Sequence, residues 1–378
     1  MKQEELGAYY ESILDREVRK AGGIYYTPPL IVDYMVEHSL GHILKSKTPK
    51  EIGNIRIVDP ACGGGIFLLE AYRYLLDWHE KHFGKPSLTE RQKILTDNFF
   101  GVDIDPLAVE ITKYALSMKC SEGEDDSLNL AKNIRCGNSL VDSEFCWNRE
   151  FSQVFKQDGF DIVIGNPPYV FARNSQFKGM TKEVKAYFYN NYALSEYQIN
   201  LYPLFIEKGT NLLKDDGLLC FITPNNWLTL NTNKKLRQFV LKQADVAITN
   251  FYKKVFTSAD VDAAIVLFRK NNKSTTGKIK LAEWRKKYTL IGEIEKDKIL
   301  SGKDCVINIE ALKGNGTLNL LDKIENNCVP ISSFAKVKCG LGAYGNGDGI
   351  PPQTKEMIHN RIYHSKNKEG DDWYKYRV

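Results

Sequence analysis

Apolar residues recur along this chain in two alternating patterns. Short apolar runs predict strands, and longer segments with apolar positions at helical spacing separate them. The predicted strands cover 55–58, 99–102, 133–135, 161–164, 218–222, 246–251 and 263–268. The predicted helices cover 3–20, 30–44, 66–82, 106–119, 198–214 and 233–243.

This alternation predicts an α/β fold with a doubly wound, mostly parallel, seven-stranded sheet. Only the short segment 252–262 joins the last two predicted strands, so we expect that pair to be antiparallel. Residues 270–280 are polar and predict a linker, and the glycine-dense, charged sequence beyond them is too poor in apolar periodicity to close a domain alone. We therefore predict three parts: an N-terminal helical segment, a main domain, and a linker with the incomplete start of another domain, at 1–50, 51–270 and 271–378.

Composition places the chain among ordinary globular proteins. Of its 378 residues, 43% are hydrophobic and 26% are charged, and the net charge of +5 permits nucleic-acid binding without establishing it. Nowhere do about 18 apolar residues follow one another, and the N-terminus lacks the apolar core of a secretion signal. We therefore expect no membrane association.

The eight cysteines do not indicate a zinc site, because none forms a C-x-x-C pair and no histidine lies at finger-like spacing from two of them. Cys136 and Cys220 fall within strand-like apolar runs, where a cysteine usually acts as a small buried apolar residue. This usage predicts a reducing, cytoplasmic compartment.

The first segment that carries chemistry is a glycine-rich turn, D-P-A-C-G-G-G at 59–65, between a predicted strand and a predicted helix. Consecutive glycines let the backbone approach a ligand closely, and the helix N-terminus exposes free amides. The alternative is a tight connection without a ligand. Because the dinucleotide fingerprint is absent and Asp59 directly precedes the glycines, the turn suits a cationic or amine-bearing ligand.

Two further acidic residues follow the second predicted strand. Asp103 lies one strand–helix unit after the glycine turn, where nucleotide-binding sheets bind ribose hydroxyls. The alternative is that Asp103 lies in a surface turn or caps a helix. The glycine turn upstream makes this alternative weaker than ribose binding. Asp105 is predicted to cap the helix that begins at Pro106. In the same way, Thr27 is predicted to cap the helix at 30–44.

The most informative segment is Asn166-Pro167-Pro168-Tyr169, which follows a buried strand. The prolines stiffen the turn, and Pro167 disfavours the α conformation at Asn166. A planar amine can therefore donate to the Asn166 side-chain oxygen and to the Pro167 carbonyl, while Tyr169 supplies a flat face for a ring. The alternative is a rigid loop with no ligand.

Taken in order, these motifs resemble the N6-adenine DNA methyltransferases that use S-adenosylmethionine, in particular the gamma-class, TaqI-type branch of type II and fused restriction–modification systems. The resemblance runs over residues 6–270 and includes further short matches, I-Y-Y-T-P-P at 24–29, G-N-S-L at 137–140, N-L-Y-P-L-F at 200–205 and K-V-F at 254–256. It implies a Rossmann-like class I methyltransferase fold, double-stranded DNA as the substrate, and a role in restriction–modification or phage defence.

The resemblance also implies a site for S-adenosylmethionine. Thr27 would hold its methionine carboxylate, and Asp59 would face its amino group. Asp103 would bind both ribose hydroxyls, while Ile104 would pack on the adenine ring and Asn138 would meet the adenine amino group. The implied cofactor-binding set is Tyr26, Thr27, Asp59, Pro60, Ala61, Gly63, Gly65, Asp103, Ile104, Asn138, Ser139, Asn166 and Phe205.

For the target base, the resemblance implies a flipped adenine whose amine is held by Asn166 and Pro167. Tyr169 would stack on the base, and Phe256 would contact it from another side. The implied catalytic residues are Asn166, Pro167, Pro168 and Tyr169. Basic residues after this turn would contact DNA phosphates, with a solvated helix face as the alternative; they are Arg173, Lys178, Lys182 and Lys185.

Two positions depart from the family's pattern. Gly64 replaces a frequent serine, which is a mild change. Asn138 stands where the family often has an acid, and its amide oxygen can still accept from an amine but without charge assistance. The identity of the cofactor is thus better indicated than its affinity.

The segment from Gly340 to Lys355 resembles the opening of a target-recognition domain. Either the chain is a fragment, or a separate specificity subunit or nuclease partner completes it. We therefore expect weak or absent sequence-specific methylation by this chain alone. Two other functions stay open: methylation of an RNA base or a protein glutamine, and a non-catalytic DNA-binding subunit. The I-Y-Y-T-P-P segment favours DNA as the substrate, and the intact Asn166–Tyr169 turn favours an enzyme.

Overall fold

The computed structural model describes most of the chain between residues 27 and 309 and short stretches after it. The described ranges are 27–45, 48–122, 128–171, 180–196, 199–252, 255–256, 261–270, 276–285, 287–302, 304–309, 323–324, 327–329, 331–335 and 353–360. The chain divides into two compact units, Met1–Gly314 and Asn315–Val378. In the second unit, the described residues include a 3-10 turn at Ile331–Ser333 and a short helix at Lys355–His359.

A nine-stranded mixed sheet forms the centre of the first unit. In chain order its strands are β1 Ile57–Asp59, β2 Phe99–Asp103, β3 Ile134–Cys136, β4 Phe160–Gly165, β5 Leu213–Pro224, β6 Ala244–Phe251, β7 Ala263–Arg269, β8 Lys278–Trp284 and β9 Tyr288–Glu295. Across the sheet they lie in the order β3-β2-β1-β4-β5-β7-β6-β8-β9. The strands β1 to β5 pair in parallel, whereas β7 is antiparallel to both β5 and β6. At the far side, β8 is parallel to β6 and antiparallel to β9.

Helices accompany this sheet between most of its strands. They are α1 Pro29–Leu44, α2 Ile66–Phe83, α3 Leu88–Asn98, α4 Pro106–Cys120, α5 Trp147–Glu150, α6 Ser152–Phe155, α7 Lys182–Asn191, α8 Leu201–Leu212, α9 Lys234–Leu241 and α10 Lys296–Ser301. In α2 the buried residues recur at helical spacing from Phe67 to Leu75, as in a helix that buries one apolar stripe. By contrast, α8 is buried on nearly every side. Among the helices that the structure describes, none is both long and apolar enough to cross a membrane.

The central strands are buried along their whole length. Every residue of β1 and β4 is buried, and β5 is buried from Gly217 to its end at Pro224. Continuous apolar strands of this kind are typical of parallel sheets that are covered on both faces. The buried sheet is therefore a rigid support for the loops that follow its strands.

The predicted α/β class and doubly wound sheet are confirmed, and all seven predicted strands are present. The predicted antiparallel pair is also confirmed, because β6 and β7 run antiparallel. The sheet has two strands more than predicted, since β8 and β9 continue it beyond residue 270. The helix predicted at 3–20 lies outside the described residues.

Arg237 ties together two connections at the edge of this core. Its side chain is completely buried on α9, and its guanidinium donates to the carbonyls of Trp227, Leu230 (2.7 Å) and Asp304 (2.8 and 3.1 Å). Burial lowers the pKa of Arg237 below its ordinary value. The turn after β5 and the segment after α10 are thereby held by one side chain.

We expect Arg237→Met to lower the free energy of unfolding by about 2–3 kcal/mol, because each buried carbonyl left without a donor costs about 1–3 kcal/mol. Urea denaturation would measure this loss. The matched control is Arg149→Met, at an exposed arginine, for which we expect a change within about 0.5 kcal/mol. Equal midpoints for the two variants would contradict the role given to Arg237.

Candidate active site

The predicted site residues converge at one edge of the sheet. Asp59 ends β1, Asp103 ends β2, and Asn166 directly follows β4, with these three strands adjacent in the sheet. The strand order reverses between β1 and β4, and in open parallel sheets ligands bind outside the carboxyl ends of the strands at such a switch point. The fold therefore brings the three predicted motifs to one crevice.

Asp59 is buried directly beside the N-P-P-Y turn. A Cβ atom on Gly165, the residue before that turn, would lie 2.5 Å from Asp59 Oδ1, so the carboxylate lies against the Gly165 backbone. The amide of Ala61 donates to the same oxygen at 3.0 Å. Burial, reinforced by the nearby Asp103, raises the pKa of Asp59 to about 8. A cation next to this carboxyl would favour its charged form.

Asp103 is fixed by two backbone amides. Gly63 N donates to Oδ2 at 2.8 Å, and Asp105 N donates to Oδ1 at 2.9 Å. Burial raises the pKa of Asp103 to about 6, while these hydrogen bonds lower it. Because each carboxylate oxygen has further acceptor capacity, the pair of oxygens can still accept from two hydroxyls.

The glycine turn holds its shape through backbone conformations that favour glycine. Gly63 has φ +51°, and a Cβ atom on it would meet nothing within 4 Å, so the space above it is open. Gly65 has φ +82°, and a Cβ there would lie 2.8 Å from Thr112 of α4. Thr112, which the sequence motifs do not reveal, donates to the Gly63 carbonyl at 2.7 Å and so supports the turn.

The segment after β3 lies beside Asp103, because Gly137 N donates to the Asp103 carbonyl at 2.8 Å. Asn138 Oδ1 accepts from Leu140 N at 3.2 Å, and Asn138 Nδ2 donates to Glu144 at 3.0 Å. The buried hydroxyl of Ser139 donates to the Pro60 carbonyl at 2.6 Å and joins this segment to the glycine turn.

The crevice is more open at Ile104 than at Asp59, which is buried. Ile104 is 49% exposed directly after Asp103, as a residue that packs on a ligand ring requires. Cys136, predicted to be buried, is exposed because β3 is the edge strand of the sheet, whereas Cys220 in the central strand β5 is buried as predicted.

The N-P-P-Y turn is joined to the start of α1. Asn166 Nδ2 donates to Thr27 Oγ1 at 3.2 Å, and Thr27 is buried. The prediction that Thr27 caps α1 is wrong, because Pro28 is the N-cap and makes no side-chain cap bond. The Thr27 hydroxyl accepts from Asn166 instead. The predicted cap at Asp105 is confirmed, since its side chain accepts from Leu107 N at 3.0 Å.

Aromatic rings collect behind this turn. Tyr169 is buried and its hydroxyl donates to the Ile222 carbonyl at 3.0 Å. Its ring meets those of Tyr202 and Phe256 edge-on, at centroid distances of 6.3 and 6.0 Å. Phe205 is also buried, and it lies on α8, three residues after Tyr202. The two rings predicted to contact a target base are thus neighbours.

Helices α7 and α8 hold the segment that carries Asn138. Tyr192 OH donates to the Leu140 carbonyl at 2.7 Å, and Asp142 N donates to Tyr187 OH at 3.1 Å. Lys208 of α8 forms an ion pair with the Asp142 carboxylate. None of these contacts has a local sequence signal, because the partners are far apart in the chain.

Not every predicted site residue is placed. Tyr26, Arg173 and Lys178 lie outside the described residues. Lys182 is exposed and Lys185 half-buried in the first turns of α7, whose N-terminus Thr181 caps by accepting from Val184 N. These two lysines follow the N-P-P-Y turn in the chain.

The acceptor groups and the exposed apolar surface of the crevice fit S-adenosylmethionine. Asp59 offers a buried carboxyl for the amino group, Asp103 offers two oriented oxygens for the ribose hydroxyls, and Ile104 offers an exposed apolar surface for the adenine. The open space at Gly63 leaves room for the chain between them. The site therefore matches the chemistry of a cationic amino-acid nucleoside.

The strand order β3-β2-β1-β4-β5-β7-β6 with an antiparallel β7 is the class I S-adenosylmethionine-dependent methyltransferase fold, as predicted. Solved structures share this fold. One is a DrdV–DNA complex, with a TM-score of 0.57 and 20% sequence identity, and the match covers 75% of this chain and 30% of that chain. The ATP-dependent Type ISP restriction-modification enzyme LlaBIII bound to DNA also shares it (TM-score 0.57, 19% identity, 74% and 21%).

Within this class, residues 97–256 match the family described as Eco57I restriction-modification methylase. The chain is 25% identical to the type II restriction enzyme and methyltransferase RM.Eco57I of Escherichia coli, over 97% of this chain and 41% of that protein. It is 27% identical to the type II methyltransferase M.TthHB8I of Thermus thermophilus, over 65% and 45%. The chain thus spans less than half the length of these relatives. The resemblance to gamma-class adenine methyltransferases is confirmed.

The raised pKa of Asp59 predicts how stability depends on pH. In the unfolded chain an aspartate has a pKa of about 3.9, so ionisation favours unfolding increasingly as the pH rises from there towards the folded pKa of about 8. We expect the melting temperature of Asp59→Asn to rise relative to the parent by roughly 10 °C between pH 5 and pH 8, because the linkage changes by about 1.4 kcal/mol per pH unit over most of this range and about 2–4 °C corresponds to 1 kcal/mol.

Thermal melts of both proteins at each pH would measure this difference. Asp262→Asn, at an exposed carboxylate, is the matched control and should follow the parent. A constant gap between Asp59→Asn and the parent across this pH range would show that the carboxyl is not held in its neutral form.

Proposed function

We propose that this chain acts as an N6-adenine DNA methyltransferase, which transfers a methyl group from S-adenosylmethionine to a flipped adenine in double-stranded DNA. The observation that carries the proposal is the placement of Asp59 against Gly165, directly before Asn166, with Asp103 on the next strand. The groups suited to the cofactor and those suited to a planar amine therefore share one crevice. The name of RM.Eco57I, a type II restriction enzyme and methyltransferase, supports a place in a restriction–modification system.

The cofactor, when bound, supplies a methyl group activated by a positively charged sulfur. The chain's own contribution is to bind and orient it. Asp59 would hold its amino group, Asp103 would accept from its ribose hydroxyls, and Thr27, which accepts from Asn166, would hold its methionine carboxylate. Because Asp59 is buried, its interaction with a cation is screened little by solvent.

At the target base, the reacting amine is a poor nucleophile because its lone pair is delocalised into the ring. The Asn166 side-chain oxygen and the Pro167 carbonyl would accept from its two hydrogens, which would favour a pyramidal nitrogen and free its lone pair for methyl transfer. Alignment and oriented dipoles then lower the barrier, and no general base is needed since the proton leaves after transfer. The bond from Asn166 to Thr27 holds the amide in place.

Base flipping costs a few kcal/mol, and stacking on an aromatic side chain is worth about 1–3 kcal/mol per base. Tyr169 is suited to this role because its hydroxyl is anchored to the Ile222 carbonyl, which fixes the ring plane. Phe256 is fully buried and its ring centroid lies 6.0 Å from that of Tyr169, so in this structure it supports the Tyr169 ring from the core side. Stacking can therefore offset much of the cost of flipping.

We expect Asn166→Ala to lower methyl transfer to duplex DNA by about 100-fold or more, as removal of one oriented group at a reacting centre does. Binding of S-adenosylmethionine should survive within about threefold, below 1 kcal/mol. Radiolabelled-methyl incorporation and isothermal titration would measure the two effects. Asn231→Ala, at an exposed asparagine, is the matched control.

Turnover by Asn166→Ala equal to that of the parent would contradict the role of Asn166. The same assay with RNA and with protein in place of duplex DNA tests the substrate class. If more methyl groups are incorporated into RNA or protein than into DNA, that substrate replaces DNA in the proposal. If the parent does not bind S-adenosylmethionine, the chain is instead a DNA-binding subunit without catalytic activity.

Lys182 and Lys185 are proposed to contact DNA phosphates from the start of α7. Each contact releases about 0.9 counterions, so we expect the double variant Lys182→Ala/Lys185→Ala to reduce the slope of log affinity against log salt by about 2. Fluorescence anisotropy with labelled duplex DNA would measure this slope. The control is Lys93→Ala/Lys132→Ala, at exposed lysines before β2 and β3, and an equal slope change there would contradict the proposal.

A further inference from the structure

The amide at position 138 has an acidic neighbour that the sequence motifs do not reveal. Asn138 Nδ2 donates to Glu144 Oε2 at 3.0 Å. Two successive turns bring Glu144 back over Asn138, with Val141 N donating to the Asn138 carbonyl at 3.2 Å and Glu144 N to the Val141 carbonyl at 2.9 Å. A carboxylate therefore stands beside the position where the resembling enzymes often have one.

Glu144 also lines a cavity whose other lining residues come mainly from α4 and from β3 with its flanking segments. The cavity has a volume of about 360 Å³, and its wall includes Pro106 and Cys136 as well as Glu144. Cys136 Sγ donates to the Ile104 carbonyl at 3.7 Å, so this wall adjoins the residue that follows Asp103. The volume is within the range of ligand clefts, about 300–1,000 Å³.

The charge of Glu144 is not compensated in the way that its neighbours' charges are. Two other glutamates line the same cavity, and each is ion-paired: Glu110 with Lys113 at 2.8 Å and Glu150 with Arg135 at 3.5 Å. Among the ion pairs of the described residues, none involves Glu144, whose contact is the neutral amide of Asn138. Its carboxylate is thus the available charged acceptor at this wall.

We propose that Glu144 determines specificity for the adenine of the cofactor, by accepting from its 6-amino group while it orients the Asn138 amide. This inference rests on the proposed function. A hydrogen bond to a carboxylate is about twice as strong as one to a neutral acceptor, so Glu144 restores the charge assistance that Asn138 lacks. A 6-oxopurine would instead place an oxygen against the carboxylate, and the site would reject it.

The test is isothermal titration of the full chain with S-adenosylhomocysteine and with its 6-oxo counterpart, S-inosylhomocysteine. We expect Glu144→Gln to weaken binding of the adenosyl ligand about tenfold, which corresponds to about 1.4 kcal/mol. Binding of the inosyl ligand should stay the same or improve. Glu110→Gln, which removes a paired carboxylate from the same cavity, should leave both affinities unchanged.

A second variant separates charge from structure. In the double variant Asn138→Asp/Glu144→Gln the carboxylate returns at position 138, and we expect affinity for S-adenosylhomocysteine to recover. Equal weakening of both ligands by Glu144→Gln, or no weakening of either, would overturn the inference while leaving the proposed function intact. A parent chain that binds neither ligand would overturn the proposed function itself.

Discussion

The close approach of the Asp59 carboxylate to the backbone of Gly165 is the contact on which the rest of the site depends. A side chain at position 165 would enter the space of Asp59 Oδ1, so β4 has to end without one. This brings a rigid turn directly beside a buried acid. Burial also makes the ionised form of Asp59 costly in the absence of a cation, which ties the stability of the site to the charge of its ligand.

Much of the fold was predictable because parallel strands buried on both faces appear as uninterrupted apolar runs. The strands β8 and β9 escaped this pattern, since β8 alternates exposed and buried residues from Lys278 onwards and follows a polar stretch. The helix α3 was also missed, although Ser87 and Glu90 form a capping box that the sequence S-L-T-E shows. Most residues of α3 are polar, so the spacing of its few apolar residues did not indicate a helix.

The centre of the site was predictable because motifs at strand ends fix the position of their residues in a parallel sheet. Asp59 and Asp103 are the last residues of their strands, and Asn166 is the first residue after β4. What the sequence did not predict are contacts between distant segments. Thr27 accepts from Asn166, and Thr112 supports the glycine turn, yet neither pairing leaves a local signal. The exposure of Cys136 likewise follows from the edge position of β3.

The contacts of α7 and α8 with the segment after β3 have a thermodynamic consequence. Tyr187, Tyr192 and Lys208 belong to elements that follow the N-P-P-Y turn, and their partners are Leu140 and Asp142. Any displacement of α7 would therefore strain the contacts that hold the segment containing Asn138. Were binding at one of these two places to shift the other, the coupling would have the same factor in both directions, because linkage between sites is reciprocal.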